Sequence, residues 1–335
     1  MAHILVTGAS GFIALHVLSQ LTADGHKVHA SVRNAQREAE ARSTLSTAAL
    51  KSVTFFHVDL LSDSGWDKAF NGVDHVIHLA SPFPPKPVQD PNVLIAPALS
   101  GTQRILALCQ QHGVKSVVVT SSIAAVGFGR GDKSAFDHND WSDASSNTID
   151  PYEKSKTLAE RAAWDYYHQL GKERTFTMCC VLPGLVFGPI LGNRVATSNK
   201  VIAKMIHGEY PGIARINVAV CDVREVAKAH VDALFNEKCH GKRLIMADKN
   251  YWIGDIARLL RAHGYDKAPS LTIPNTLIRF LALFDSELAL AAKYLSMHKS
   301  YDCSETKQAL AWQPTDYDRC ILDTAQSICD LDVDA

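Results

Sequence analysis

The sequence lacks three features: an excess of one charge, cysteines at metal-binding or redox spacing, and a long uninterrupted apolar run. Its 34 Lys and Arg nearly balance 35 Asp and Glu, for a net charge of -1, so partners such as nucleic acid or an anionic membrane are not expected. The eight cysteines form no Cys-x-x-Cys pair, which argues against a disulfide framework or a metal site. We expect reduced, mostly buried thiols in a cytoplasmic protein, and the N-terminus shows no signal-peptide pattern.

The most apolar late stretch, Leu277 to Leu295, is interrupted by charged residues at positions 279, 285, 287 and 293. Charges at this density are costly inside a bilayer, so the stretch is not expected to span a membrane. Its apolar spacing is helical. We therefore predict a helix in the core or at a subunit interface.

Short apolar runs alternate with helical patterns over the first half of the chain. The predicted strands are His3–Thr7, Lys27–Arg33, Val53–Val58, His75–Leu79, Ser116–Thr120 and Thr175–Leu182. The predicted helices are Phe12–Ala23, Ala35–Leu45, Asp63–Phe70, Val93–His112 and Tyr152–Leu170. This alternation is typical of an α/β fold of the Rossmann type, a doubly wound parallel sheet with helices on both faces.

The alternation of strand and helix patterns ends after about Val186, where one short segment contains several glycines and prolines. We predict a dinucleotide-binding domain over residues 1–186, with 215–240 returning to it. Residues 187–214 and 241–335 are predicted to form a smaller, mostly helical substrate domain.

A glycine-rich loop follows the first predicted strand and opens directly onto a helix. It reads Thr7-Gly8-Ala9-Ser10-Gly11-Phe12-Ile13-Ala14. The glycines permit a tight turn and let the backbone approach a pyrophosphate, and the helix N-terminus offers unpaired N–H groups. An ordinary glycine-rich turn is the alternative, but the strand–loop–helix context favours a dinucleotide site.

The second predicted strand ends in Arg33, and Arg37 lies one turn into the next helix. A fold that selects NAD usually has a carboxylate at this strand end, to hold the ribose 2′-hydroxyl. A guanidinium can instead bind a 2′-phosphate with two hydrogen bonds. We predict NADP(H) as the cofactor; a surface role for Arg33 is the alternative. Asp59, after the third strand, is placed to meet the adenine of the cofactor. The alternative, that Asp59 is a solvated carboxylate in a loop, fits the sequence nearly as well.

Tyr152 and Lys156 form the only Tyr-x-x-x-Lys of the chain. Asp150 and Pro151 suit the start of a helix, which places the tyrosine and the lysine on one face. Carbonyl reduction needs a proton donor, and an ammonium beside a phenol lowers the pKa of the phenol. A hydroxyl from Ser121 or Ser122, at the end of the fifth strand, could polarise the carbonyl. A helix-face pair without chemical role is the alternative.

Taken together, these motifs resemble the extended short-chain dehydrogenase/reductases, over nearly the whole chain. Within that superfamily the chain is most similar to the dihydroflavonol reductase and cinnamoyl-CoA reductase branch, which includes microbial aldehyde and ketone reductases. The matching segments are the glycine loop, Val58-Asp59-Leu60, His78-Leu79-Ala80-Ser81-Pro82, Thr120-Ser121-Ser122, Tyr152-x-x-x-Lys156, Leu182-Pro183-Gly184, Asp140-Trp141-Ser142-Asp143, Asp222-Val223-Arg224-Glu225-Val226-Ala227 and Leu310-Ala311-Trp312-Gln313-Pro314.

The resemblance implies a role for several residues. Ser122, rather than Ser121, is implied to be catalytic with Tyr152 and Lys156, and the C-terminal domain is implied to close over a small carbonyl substrate. A homodimer through the helices Val93–His112 and Tyr152–Leu170 is also implied. The implied cofactor contacts are Thr7, Gly8, Ser10, Gly11, Phe12, Ile13, Arg33, Arg37, Asp59, Leu60, Ala80, Ser81, Pro82, Tyr152, Lys156, Pro183, Gly184 and Val186. Ala98 stands where many members carry a catalytic asparagine, so that role does not carry over.

Two other functions share these features. A nucleotide-sugar epimerase or dehydratase has the same fold and the same Ser/Tyr/Lys set but recycles tightly held NAD, which Arg33 disfavours. A non-enzymatic sensor of the NADP(H) ratio could dispense with the tyrosine, which this chain retains. We predict NADPH-dependent reduction of an aldehyde or ketone, with a substrate pocket built near Phe83, Gly127–Asp137, Phe187–Ser198 and the C-terminal helices.

Overall fold

Strands and helices alternate along the computed structural model, which describes residues 1–81 and 90–333. The strands are β1 His3–Thr7, β2 Lys27–Val32, β3 Val53–His57, β4 His75–His78, β5 Ser116–Thr120, β6 Ala135–Phe136, β7 Thr177–Pro183, β8 Leu185–Phe187, β9 Asn217–Asp222, β10 Arg243–Met246, β11 Lys249–Trp252 and β12 Ser300–Tyr301. The α-helices are α1 Phe12–Ala23, α2 Ala35–Thr44, α3 Thr47–Leu50, α4 Trp66–Phe70, α5 Asn92–Gln111, α6 Pro151–Gln169, α7 Lys200–His207, α8 Val223–Phe235, α9 Ile253–Ala262, α10 Asn275–Leu281, α11 Ser286–Lys293, α12 Ser304–Leu310 and α13 Tyr317–Val333.

Seven of these strands form the central sheet, in the order β3-β2-β1-β4-β5-β7-β10. All neighbouring pairs are parallel, with Leu5 of β1, for example, opposite Val76 of β4. The strand order reverses between β1 and β4, and the carboxyl ends of strands at such a point form a ligand crevice. The predicted doubly wound parallel sheet is confirmed.

Helices cover both faces of this sheet, which explains its continuous apolar strands. Helices α1 and α8 pack together, as do α5 and α6. Cys179 belongs to one of the two flanking apolar cores and the adjacent Cys180 to the other. Successive residues of a strand point to opposite faces, so both thiols are buried by different helix layers.

A smaller unit follows the central sheet and has its own apolar core. Strands β11, β9 and β8 form a three-stranded sheet, and helices α7, α9 and α13 contribute to the same core. The segment predicted to return to the first unit contains α8, which packs against α1.

The prediction that residues after 240 belong to the smaller unit is wrong at β10. This strand pairs with β7 at the edge of the central sheet, with Arg243 opposite Cys180. A strand of four residues is too short for its sequence pattern to indicate which strand it pairs with. In addition, β10 and β7 are far apart in the sequence.

The apolar stretch from Leu277 to Leu295 forms two short helices, α10 and α11, rather than one. Leu277, Phe280, Leu283 and Phe284 are exposed, so the prediction of a core helix is wrong. The alternative of an interface helix stays a prediction, as do the homodimer through α5 and α6 and the cytoplasmic location. Among the described residues, no helix has both the length and the apolar content needed to cross a membrane.

Candidate active site

A cavity of about 950 Å³ opens where the central strands end and the smaller unit begins. The glycine loop and the first turn of α1 line one wall. Tyr152 and Ser122 line another, and Arg33 and Arg37 lie at a further part of the lining. The cavity therefore brings together the three motifs that the sequence analysis singled out. Its volume is at the upper end of the range for ligand sites.

The glycine loop has the backbone shape that a dinucleotide requires. Gly8 has a positive φ of 68°, and a Cβ atom there would lie 2.9 Å from the Cα atom of Ala80. The loop is held from β2, since the Gly8 N–H donates to the Ser31 hydroxyl and the Ala9 N–H to the Ser31 carbonyl. Helix α1 begins after Gly11 without a side-chain cap. Its first N–H groups can therefore bind an anion.

Helix α6 places Tyr152 in the cavity through a double cap at its N-terminus. The Asp150 side chain accepts from the Glu153 N–H, and the Glu153 side chain accepts from the Asp150 N–H, each at 2.8 Å. Pro151 occupies the first turn, where its missing N–H costs nothing. This start fixes the register of the helix, so that Tyr152 faces the cavity and Lys156 follows one turn later.

Ser122, rather than Ser121, meets the tyrosine. The Ser122 hydroxyl lines the cavity with Tyr152 and lowers the pKa of the Tyr152 phenol. The Ser121 hydroxyl points away and donates to the buried Glu160 carboxylate at 2.6 Å. Successive residues at a strand end point in opposite directions, which separates the two serines physically.

Lys156 lies beneath the cavity rather than in its wall. It is buried, and its ammonium donates to the Thr120 carbonyl at 3.4 Å. Together with Ala80 and Ser81 it borders a small adjacent hollow. Burial lowers the pKa of Lys156 to about 8, while the Glu160 carboxylate opposes this effect. The ammonium is thus the majority form at neutral pH.

The expected lowering of the Tyr152 pKa by Lys156 is wrong for this structure. Burial raises the pKa of Tyr152 to about 12; the hydrogen bond with Ser122 lowers it, and the Asp150 and Glu153 carboxylates raise it further. The Lys156 ammonium donates to the Thr120 carbonyl instead. Tyr152 is therefore a neutral phenol at pH 7, which is the form that can donate a proton.

A polar cluster that was not predicted from the sequence surrounds Asp150 and Glu153, the neighbours of Tyr152. The Tyr294 hydroxyl donates to Asp150 and, at 2.8 Å, to Glu153. The Lys299 ammonium lies 3.5 Å from the centre of the Phe128 ring, and its charge acts on Glu153. Tyr294 is more than 140 residues away from the helix start that it contacts, and no sequence spacing links Tyr294 or Lys299 to it.

Glu153 is the group in this cluster whose protonation is most sensitive near neutral pH. Burial, followed by the neighbouring Asp150 charge, raises its pKa to about 7. The contribution of this group to stability is therefore full below its unfolded pKa of about 4.5 and is lost as the pH rises through about 7.

Replacing Glu153 by Gln is expected to remove this loss, because a glutamine can keep the capping interaction without the charge. The variant should gain roughly 1 to 3 kcal/mol over the wild type at pH 8.5, and much less at pH 5. Urea unfolding followed by circular dichroism at both pH values measures the difference. Glu237→Gln, at an exposed site, is the matched control. A gain that does not depend on pH would contradict the assignment.

Several predicted cofactor residues do not line the cavity. Thr7 is fully buried, and its hydroxyl joins the His78 ring to the Ala80 N–H, so it supports the loop from below. The Asp59 carboxylate lies 3.6 Å from the Arg33 guanidinium, and Leu60 packs against Gly101. Pro82 and Phe83 lie outside the described residues.

Other predicted residues lie where expected. Ser10, Gly11, Phe12 and Ile13 line the cavity, as do Gly184 and Val186. Pro183, one position earlier, accepts a hydrogen bond from Ser122 at 3.4 Å. Both predicted pocket loops contribute, through Phe128 and through residues 192–198.

Comparison with known proteins shows which family the chain belongs to. The model of the NAD dependent epimerase/dehydratase family matches residues 4–242, which is more than half of the chain. The chain belongs to the NAD dependent epimerase/dehydratase family. This member is 32% identical over 281 residues to a putative NADPH-dependent methylglyoxal reductase of Candida albicans, covering 77% of this chain and 82% of the relative. It is also 32% identical over 261 residues to cinnamoyl-CoA reductase 1 of Petunia hybrida, covering 77% and 76% of the two chains.

Solved structures show the same fold over the full length. A yeast methylglyoxal/isovaleraldehyde reductase complexed with NADPH superposes with a TM-score of 0.84 at 24% identity, covering 99% of this chain and 100% of the other. A UDP-glucose 4-epimerase of Thermotoga maritima superposes with a TM-score of 0.77 at 18% identity, covering 98% and 99%. At such identities the similarity establishes the fold, and the choice between reductase and epimerase depends on the site.

Proposed function

We propose that this chain reduces an aldehyde or ketone to an alcohol with NADPH as the cofactor. One observation carries the proposal: Tyr152 and Ser122 share a cavity with the glycine loop and two arginines. A proton donor and a dinucleotide site therefore face the same space. The relatives named as a putative NADPH-dependent methylglyoxal reductase and as a cinnamoyl-CoA reductase support this reading.

The described residues fit a dinucleotide with a 2′-phosphate. The backbone of the glycine loop and the uncapped start of α1 suit the pyrophosphate. Arg33 and Arg37 line the cavity at the end of β2 and the start of α2, where an NAD-selective member would carry a carboxylate. When bound, NADPH supplies the hydride that the carbonyl carbon accepts.

Tyr152 supplies the proton in this proposal. As the carbonyl carbon becomes saturated, its oxygen gains negative charge and becomes more basic than a phenolate. A phenol with a pKa near 12 keeps its proton until that charge develops and then transfers it. Ser122 holds the same oxygen against Tyr152, which fixes the direction of the transfer.

Lys156 acts from below the cavity. Its ammonium adds positive charge beneath the reacting groups, and its position beside Ala80 and Ser81 suits a hydrogen bond to a cofactor ribose. Because the carbonyl oxygen becomes negative during the reaction, the positive charge of Lys156 stabilises the transition state more than the bound substrate.

A screen for NADPH oxidation tests the proposal directly. We expect turnover with at least one compound among aldehydes, α-dicarbonyls, β-keto esters and dihydroflavonols. The kcat/KM should be at least about tenfold higher with NADPH than with NADH, because two guanidiniums favour the 2′-phosphate. Protein that purifies with NAD already bound and oxidises NADPH with no carbonyl would instead support an epimerase or dehydratase.

A further inference from the structure

A third arginine lies at the same part of the cavity as Arg33 and Arg37. Arg194, from the loop after β8, lines the cavity together with Glu40 of α2. The Glu40 carboxylate oxygen Oε2 lies 2.7 Å from the Arg37 guanidinium and 3.4 Å from that of Arg194. One carboxylate thus holds two guanidiniums that come from different units of the fold.

The loop that carries Arg194 is attached to the nucleotide-binding half. The Pro189 carbonyl is hydrogen-bonded to the His16 ring of α1 at 2.9 Å. Gly192 lies so close to α1 and α2 that a Cβ atom there would be 3.3 Å from Leu15 and 3.5 Å from Thr44. At its start, the Gly188 N–H donates to the Thr324 hydroxyl of α13 at 2.7 Å. These contacts set the distance between Arg194 and α2, even though the arginine side chain itself is exposed.

We propose that Arg194 is a third ligand of the cofactor 2′-phosphate, supplied by the loop after β8. This inference rests on the proposed use of NADPH. A phosphate monoester carries about two negative charges near neutral pH, and it can accept from both guanidiniums that Glu40 now holds. Binding of the phosphate thereby adds a further link between the nucleotide-binding half and the loop, which also lines the substrate cavity.

The position favours the 2′-phosphate over the pyrophosphate. Glu40 and Arg37 belong to α2, which follows the strand end where the 2′-position is read. The pyrophosphate site is expected at the glycine loop and the start of α1. The ion pair of Arg194 is with Glu40 of α2.

Isothermal titration calorimetry with three nucleotides tests this assignment. The probes are 2′,5′-ADP, which carries a 2′-phosphate, 5′-AMP, which lacks it, and ADP, which carries a 5′-pyrophosphate. Arg194→Ala should weaken 2′,5′-ADP about five- to tenfold, as expected for one charge-assisted contact at a partly exposed site. The affinities for 5′-AMP and ADP should stay the same. Arg258→Ala, at an exposed arginine paired with Asp255, is the control and should change none of them.

The outcomes separate this inference from the proposed function. If the wild type binds 2′,5′-ADP no better than 5′-AMP, the use of NADPH itself is refuted. If the wild type discriminates but Arg194→Ala binds 2′,5′-ADP as tightly, only the role of Arg194 is refuted. An equal loss for ADP would assign Arg194 to the pyrophosphate and also overturn the proposal. A thermal unfolding midpoint equal to that of the wild type confirms that the variant is folded.

Discussion

Tyr152→Phe is expected to lower kcat for carbonyl reduction by about 10²- to 10⁴-fold, the usual contribution of a positioned proton donor. Phenylalanine keeps the ring and its packing but removes the hydroxyl, whose pKa Ser122 lowers. The carbonyl oxygen would then have to take its proton from water. Steady-state kinetics with saturating NADPH measure the loss.

The binding of NADPH should remain nearly unchanged in this variant, because the glycine loop and the arginines are untouched. A fluorescence titration of the protein with NADPH checks this. Tyr301→Phe is the matched control: Tyr301 lines the same cavity but belongs to β12. We expect its kcat to stay within a few-fold of the wild type, since no proton transfer is assigned to it. A Tyr152→Phe enzyme that retains more than a tenth of the wild-type kcat would refute the role of the hydroxyl.

Arg243→Met is expected to lower the free energy of unfolding by about 3 to 5 kcal/mol, the cost of leaving one partner of a buried ion pair. Arg243 and Glu160 are both buried, and the Arg243 Nε atom lies 2.6 Å from Glu160 Oε1. The same guanidinium donates to the His138 carbonyl at 2.8 Å and lies 3.7 Å from the centre of the Trp141 ring. Without the Arg243 guanidinium, the buried Glu160 carboxylate would keep only uncharged hydrogen-bond donors such as Ser121 and Trp164.

The double variant Arg243→Met with Glu160→Leu distinguishes the interaction between the two charges from the interactions of each residue with its other neighbours. Removing both charges avoids the unpaired buried carboxylate, so the double variant should be less destabilised than the sum of the two single variants. Urea unfolding gives the three free energies. Lys228→Met is the control, because Lys228 forms an exposed pair with Asp232 and should cost at most about 1 kcal/mol. Strictly additive losses would show that the two charges do not depend on each other.

This ion pair also concerns the active site. Glu160 accepts from Ser121, the neighbour of Ser122, and its charge favours the protonated form of Lys156. The strand that contributes Arg243 is β10, which the sequence analysis assigned to the wrong unit. The ion pair between α6 and this edge strand could not be predicted from a local sequence pattern, because its partners are 83 residues apart.

Local features were predictable because they depend on neighbouring residues. The glycine loop and α1, from Phe12 to Ala23, are found as predicted, since a tight turn, an amphipathic repeat and a helix start all lie within twenty residues. The Asp150-Pro151 start likewise placed Tyr152 and Lys156 on the first turns of α6. From these patterns alone, the sequence determined the parallel α/β sheet and the residues of the catalytic candidate set.

Only the tertiary structure decided what surrounds those residues. The pKa of Tyr152 rises mainly because the folded chain buries the phenol, and the sequence pattern does not record that burial. Tyr294, Lys299 and Arg194 reach the cavity from segments whose spacing relative to the motifs carries no information. A periodic pattern records which face of an element is buried, but it does not record which distant segment covers that face. At this site the covering segments bring Tyr294 and Lys299 to Glu153.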